Sequence, residues 1–187
     1  MITIRNERPV DEGGREALLD AAYGPIRHAK PSARLRKRRL PAEGLSLVAL
    51  ERGRMLGTVR LWHVAAGRSH PALLLGPLAV HPDARKRGIG ASLMRRAIEE
   101  AAHLGHAAVL LVGDHDYYGR FGFSAEKTGD IRLPRADPAR LLGCELTAGA
   151  LDGVQGRIIA TGIREPQPAV AALKRNVRAP RLVPQAA

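Results

Sequence analysis

The chain has one cysteine, six aromatic residues and five lysines among 187 residues. Each scarcity excludes something. With Cys144 alone, neither an intrachain disulfide nor a multi-cysteine metal site can form. The seven histidines show no metal-ligand spacing, so no metal is expected. No apolar run approaches the ~18 residues of a transmembrane helix. Met1 to Pro9 is polar and charged, unlike a secretory h-region. The expectation is a soluble, cytoplasmic protein with no membrane partner. Acid is also short: 18 Asp and Glu stand against 30 Lys and Arg, a formal net charge of +12. Arginine supplies 25 of those 30 cations. Codon bias in a GC-rich genome explains that excess without a function. An anionic ligand, either a phosphorylated cofactor or nucleic acid, explains it with one.

What is present suits a single domain of ordinary size, with 45% hydrophobic and 26% charged residues. Ile2 and Ile4 alternate with polar neighbours as in a strand. Val10 to Tyr23 reads as a helix stopped by Gly24-Pro25. Residues 27–39 hold seven Lys and Arg and no acid, and the plainest account of them is a solvated helix face. Leu45 to Leu50 and Met55 to Val64 read as strands joined by a hairpin turn over 51–54. Leu73 to Val80 is a third apolar run, interrupted by Gly76-Pro77. Gly88 to His103 is a strong amphipathic helix, its polar face made by Ser92, Arg95, Arg96, Glu99, Glu100 and His103. Ala107 to Val112 is short, continuous and apolar, as in a strand buried on both faces. Strand, loop, helix and strand over 73–112 make a crossover between parallel neighbours. Leu141 to Thr147 and Arg157 to Thr161 are further strand candidates. From Glu165 the chain turns basic and rich in Pro and Ala. This reading gives a domain over 1–164 and a loosely held tail over 165–187.

The loop from His81 to Ala91 joins the third run to the amphipathic helix. A helix start leaves about four N–H groups without partners, and its dipole is positive there. Gly88 and Gly90 let the backbone curl so that the N–H groups of 88–91 face one anion. Arg85, Lys86 and Arg87 add charge at the same mouth. Cradling a pyrophosphate is the chemistry that such an arrangement suits. A dinucleotide fold wants Gly-x-Gly-x-x-Gly in a tight turn, and Leu93 stands where the third glycine would be. A P-loop is excluded here, since no Gly-Lys-Ser/Thr follows.

Four of the six aromatics, Tyr117, Tyr118, Phe121 and Phe123, fall within seven residues. Even scattering would put about 0.2 there, so the clustering needs a cause. The string Leu78-Ala79-Val80-His81-Pro82-Asp83-Ala84-Arg85-Lys86-Arg87-Gly88-Ile89-Gly90 resembles the acetyl-CoA signature of the GNAT superfamily of N-acetyltransferases, Arg/Gln-x-x-Gly-x-Gly/Ala. Tyr117-Tyr118-Gly119-Arg120-Phe121-Gly122-Phe123 is similar to the second signature of that superfamily. The resemblance covers about residues 73–124 closely and the rest loosely.

It implies an α/β (α+β) fold: a twisted, mixed, mostly antiparallel sheet with helices on both faces. Two parallel strands in mid-sheet splay apart, and acetyl-CoA lies in the gap. Gly76-Pro77 sits where such a splay needs a bulge. The resemblance further implies that backbone groups of Leu78, Ala79 and Val80 hold the pantetheine arm, that Arg85, Lys86, Arg87, Gly88, Ile89, Gly90 and Ala91 meet the pyrophosphate, and that Tyr118 protonates the leaving thiolate. The reaction would be direct attack of a primary amine on the thioester.

No general base stands out among His81, Glu51, Asp114 and His115. Cys144 has no neighbouring His or motif and reads as an inert small apolar residue. Two other readings stay open. One is a basic nucleic-acid- or ribosome-associated binding module built on 27–39 and on Lys174, Arg175, Arg178 and Arg181. It is less favoured, because no aromatic is interleaved with those clusters. The other is a CoA-binding protein without catalysis. The acceptor, a small-molecule or peptide amine, is not readable from the sequence. A homodimer is compatible with it.

Overall fold

The structure is a computed structural model and describes residues 1–166. The expected tail over 165–187, with its four basic residues, lies almost wholly outside the described residues. Strand β1 (Ile2–Asn6) leads through a short 3-10 turn into helix α1 (Glu12–Tyr23). A one-turn helix α2 (Ala33–Arg36) precedes β2 (Ser46–Glu51), β3 (Arg54–Ala66) and β4 (His70–Val80). Helix α3 (Ile89–His103), β5 (Ala108–Val112) and the one-turn α4 (His115–Tyr118) follow. The chain then adds β6 (Ile131–Arg132), β7 (Leu141–Glu145) and β8 (Gly156–Ala160).

These strands form one sheet in the order β1-β2-β3-β4-β5-β7, with β8 beside the far end of β3 and β6 beside β8. Only β4–β5 and β6–β8 are parallel. The parallel β4–β5 pair flanks α3, as the alternation of patterns predicted. The sheet is thus mixed and mostly antiparallel.

Side-chain alternation along β4 puts helices on both faces. Leu78 and Val80 join the cluster of α3 (Ile89, Leu93, Met94, Ala97), while Ala79 between them joins that of α1 (Leu18, Leu19). The same alternation on β3 sends Leu61 toward α3 and Trp62 to the opposite face, where it meets Leu35 of α2. The expected polar face of α3 is solvated, and Ala102 joins it in water.

Several boundaries differ from the sequence reading. Val10 is exposed in the 3-10 turn, so α1 starts at Glu12. β3 runs on to Ala66 and β4 begins at His70, because the two pair out to Ala66–His70. The turn at 51–54 is the hairpin that was expected, with two loop residues, Arg52 and Gly53, both at positive φ. Residues 27–39 are not a solvated helix face. Only four of them are α-helical, Leu35 is buried, and Arg39 bridges to Arg164, although Lys30, Arg34, Lys37 and Arg38 are exposed.

Helix α3 lies close on the sheet because residue 57 has no side chain. A Cβ at Gly57 would stand 2.8 Å from Leu93 Cδ1, 2.9 Å from Ile89 Cγ2 and 3.2 Å from the carbonyl oxygen of Ala79. Since Ile89 opens the helix, this contact also sets where its free N–H groups sit. Gly57→Ala is expected to cost about 1–3 kcal/mol by overpacking. Urea unfolding should record a lower midpoint with an unchanged m-value.

Candidate active site

The site begins where two parallel strands part. β4 and β5 pair only at Leu73–Val109 and Leu74–Leu110. Just beyond, the register of β4 on β3 slips. Leu75 faces Leu61 and Leu78 faces Val59, so Gly76 and Pro77 together stand opposite Arg60. This is the expected bulge. Pro77 has no N–H to give a ladder, and Gly76 holds a φ of 130°, which other residues resist. The indole Nε1 of Trp62 donates to the Gly76 carbonyl at 2.6 Å and fixes the kink.

Past the bulge, β4 keeps its pairing with β3 but has no partner in β5. His81 N–H donates to Leu56 O, which sets the antiparallel alternation. By that alternation Ala79 spends its N–H and C=O on Thr58, while Leu78 and Val80 turn theirs toward the gap. The hydroxyl of Tyr23, at the end of α1, donates to the Leu78 carbonyl. Of the three backbone positions singled out in the sequence, two therefore face the gap and Ala79 does not.

At the far end of β4 the loop reaches α3. Gly88 is the N-cap at φ 75°, and the first helical bond runs from Ser92 N–H to Gly88 O. The N–H groups of Ile89, Gly90 and Ala91 are left without helical partners. Lys86 also takes a positive φ, 63°. Arg85 and Lys86 are exposed and have no acidic partner among the described residues. Arg87 differs: it is tied to Glu51 at 2.7 and 3.2 Å. Nothing stands within 4 Å above Gly88, whereas a Cβ at Gly90 would meet the Tyr117 hydroxyl at 2.8 Å. Gly90 thus serves packing as well as backbone curvature.

That hydroxyl belongs to the aromatic cluster. The Tyr117 ring packs edge-on to Tyr118 at 4.9 Å and against Phe121 at 5.7 Å, with the Arg120 guanidinium 4.2 Å over Tyr117. Phe123 is fully buried and lies 6.2 Å from the Tyr118 ring. Tyr118 is half-buried over Gly113, where a Cβ would overlap its ring. Its hydroxyl has no protein partner among the described residues. Burial raises its pKa well above the ordinary phenol value, with a smaller push from Tyr23 and Tyr117. The phenol is therefore protonated throughout neutral pH.

Tyr118, Leu111 and Val112 form one wall of a cavity of about 680 Å³ that opens from the gap. Leu75 to Leu78 form its floor, α1 and the 27–37 segment its other walls. The basic segment thus borders the cavity: Arg27 and Arg36 are part-buried, while Lys30, Arg34 and Lys37 are exposed at its rim. The reading of the sequence missed Tyr23, Trp62 and Gly113, all isolated residues with no motif around them, and did not separate Arg36 from the rest of the basic cluster.

None of the four base candidates lines this cavity. Glu51 is held by Arg87, whose hydrogen bond lowers its pKa. Asp114 pairs with Arg140 at 3.1 Å. His81 accepts from Asp83 N–H at 3.3 Å, and the His115 ring lies against Gly119. Cys144 is buried, and burial raises its thiol pKa, as suits an inert core residue. No group of three metal-capable side chains occurs among the described residues. No described helix is long and apolar enough to cross a membrane.

The gap, the loop and the cavity can be set beside known proteins. A profile described as the Acetyltransferase (GNAT) family matches residues 15–123. The uncharacterized N-acetyltransferase YhbS of Escherichia coli is 30% identical over 158 residues, which is 83% of this chain and 93% of that protein. The crystal structure of YhbS in complex with CoA superposes with a TM-score of 0.74, covering 86% of this chain and 89% of that one. A GNAT family acetyltransferase from Brucella melitensis, solved with acetyl-CoA, is 28% identical with a TM-score of 0.65, covering 86% and 96%. Profile, sequence relative and fold agree that the chain belongs to the GNAT family of acetyltransferases.

Proposed function

We propose that the protein is an N-acetyltransferase that moves the acetyl group of acetyl-CoA to a primary amine by direct attack. The observation that carries this reading is the strand gap, with unpaired backbone groups along one side and unpaired helix N–H groups at its end. An adenine nucleotide with a thioester arm fits that donor set. The N–H groups of Ile89, Gly90 and Ala91, with Arg85 and Lys86, would hold the pyrophosphate, and Gly88 would let it approach. Arg87 would join only by leaving Glu51. Leu78 and Val80 would hold the arm as an added strand, through the N–H of each and the carbonyl of Val80, and one of those N–H groups would polarise the thioester carbonyl.

The bound thioester supplies an electrophilic carbonyl and a thiolate leaving group. Tyr118 lies on the cavity wall next to the gap. A phenol held above its ordinary pKa does not surrender its proton fully to a thiolate of pKa about 8.5. It stabilises the developing charge by a hydrogen bond instead. The relatives solved with CoA and acetyl-CoA support this donor. The nucleic-acid reading is the less favoured, because part of the 27–37 segment borders the cavity that opens from the gap. Residues 1–164 would be the catalytic domain, 165–187 an appended tail, and the cytoplasm the place of work.

Two substitutions separate binding from chemistry. Gly88→Val is expected to abolish acetyl-CoA binding in calorimetry, since the new side chain stands where the phosphates approach; retained affinity would remove the assignment of the loop. Tyr118→Phe is expected to lower kcat about ten- to hundredfold, with acetyl-CoA affinity changed less than threefold. Equal turnover would end the role of the phenol. Because its pKa is raised, the proton on Tyr118 is lost only above pH ~10, so kcat in the wild type should not fall from that cause between pH 7 and 10.

A further inference from the structure

Three of the seven Lys and Arg that line the cavity are already paired. Arg15 and Arg60 share Glu7, and Arg27 holds Glu16 and Asp20. Arg36 is different. Its guanidinium reaches into the cavity beside the bulge, 3.5 Å from where a Cβ of Gly76 would stand. It makes no hydrogen bond or ion pair with any described residue. Lys30, Arg34 and Lys37 share its wall, and none of them has an acidic partner among the described residues either. Lys30 only rests on the Tyr23 ring at 4.0 Å. Burial pushes the Arg36 pKa down to about 10, so the surroundings do not compensate its charge.

A part-buried guanidinium without an anion is costly, and a protein gains nothing structural by aiming it at a ligand cavity. The leading residue of the cluster is fixed in place: Leu35, its neighbour, is buried in the core, and Arg39 is tied to the Gly162 carbonyl. Gly76 and Leu78 are two residues apart across the bulge, so their Cα atoms stand no more than about 7 Å apart. An acceptor spanning from Arg36 to the thioester would therefore be short.

We propose that Arg36 binds an oxyanion on the acceptor, and that the acceptor is a small primary amine carrying a carboxylate or phosphate a short linker away from its nitrogen. This rests on the acetyltransferase reading above and names the substrate class of that same cavity. Arg36 offers a planar fork of donors that matches either oxyanion bidentately. Lys30 and Lys37 add field rather than geometry. The two sources of the oxyanion differ in charge and shape, so the experiment can separate them.

The test uses the full chain. Acetyl-CoA binding is first measured by calorimetry; if it fails, the acetyltransferase reading falls and takes this proposal with it. With binding established, succinate and inorganic phosphate are titrated into protein saturated with CoA, which blocks the pyrophosphate loop. One of the two is expected to bind, and the stronger identifies carboxylate or phosphate. Arg36→Gln should weaken it about tenfold or more, and Arg36→Lys by less, since charge is kept and the fork is lost. Thermal unfolding of both variants checks that they fold, and the lysine variant alone decides if the glutamine variant does not. In parallel, glutamate and phosphoethanolamine are compared with ethanolamine and putrescine as acceptors. The ratio of kcat/KM, acceptors with an oxyanion over those without, is expected above ten and should fall at least tenfold in Arg36→Gln. Absence of anion binding to the CoA-saturated protein, or equal affinity in wild type and both variants, overturns the proposal while leaving the acetyltransferase reading intact.

Discussion

The site depends on two residues of β4 facing one residue of β3. If Gly76 and Pro77 were spread over an ordinary ladder, β4 would continue alongside β5, and the backbone groups of Leu78 and Val80 would be consumed by sheet pairing. The slip instead ends the parallel pair after Leu74. It leaves a strand edge in the middle of a sheet, where an edge is normally a liability. Trp62 and Tyr23 hold that edge open from one face, through the carbonyls of Gly76 and Leu78. Cavity, free backbone groups and the position of Arg36 all follow from this one irregularity.

Charge in the molecule sorts by whether it has an internal partner. The buried Glu7 binds Arg15 and Arg60 and ties α1 to the sheet, and Arg87 is tied to Glu51. These cations serve the fold or are engaged at rest. Arg85 and Lys86 at the start of α3, and Lys30, Arg34, Arg36 and Lys37 on the cavity wall, have no acidic partner among the described residues. One unpartnered group stands at the start of α3 and the other on the cavity wall, the first suited to a donor's phosphates and the second to an acceptor's anion. Part of the excess of basic residues thus has a spatial logic that composition alone does not reveal.

The sequence was most readable where a physical signal repeats. The 3.6-residue period of α3, the apolar run of β5 and the Gly-x-Gly at the helix start each report local structure, and each stands where it was expected. Gly76-Pro77 was readable because the two residues break a ladder in a known way. Residues 27–39 were misread in part: Lys30, Arg34, Lys37 and Arg38 are solvated as their charge suggests, but Leu35 docks the segment on the core and turns Arg36 toward the cavity, which charge alone does not report. Tyr23, Trp62 and Gly113 act through contacts 14 to 55 residues away or by lacking a side chain, and single residues leave no pattern. Ala79 was grouped with Leu78 and Val80 because a motif names neighbours, whereas hydrogen-bond direction alternates along a strand.

The two sequence motifs are also one packed unit. The missing side chain of Gly90 makes room for the Tyr117 hydroxyl, the Tyr117 ring stands edge-on to Tyr118, and the missing side chain of Gly113 receives the Tyr118 ring. A bulky residue at 90 would therefore move a phenol two contacts away, and a smaller residue at 117 would make a larger one at 90 admissible. Substitutions at 90, 113, 117 and 118 should combine non-additively, since neighbours in contact share their free energy. Across evolutionary time such positions are free to change only in company, so the phosphate loop and the phenol constrain each other's history as well as each other's geometry.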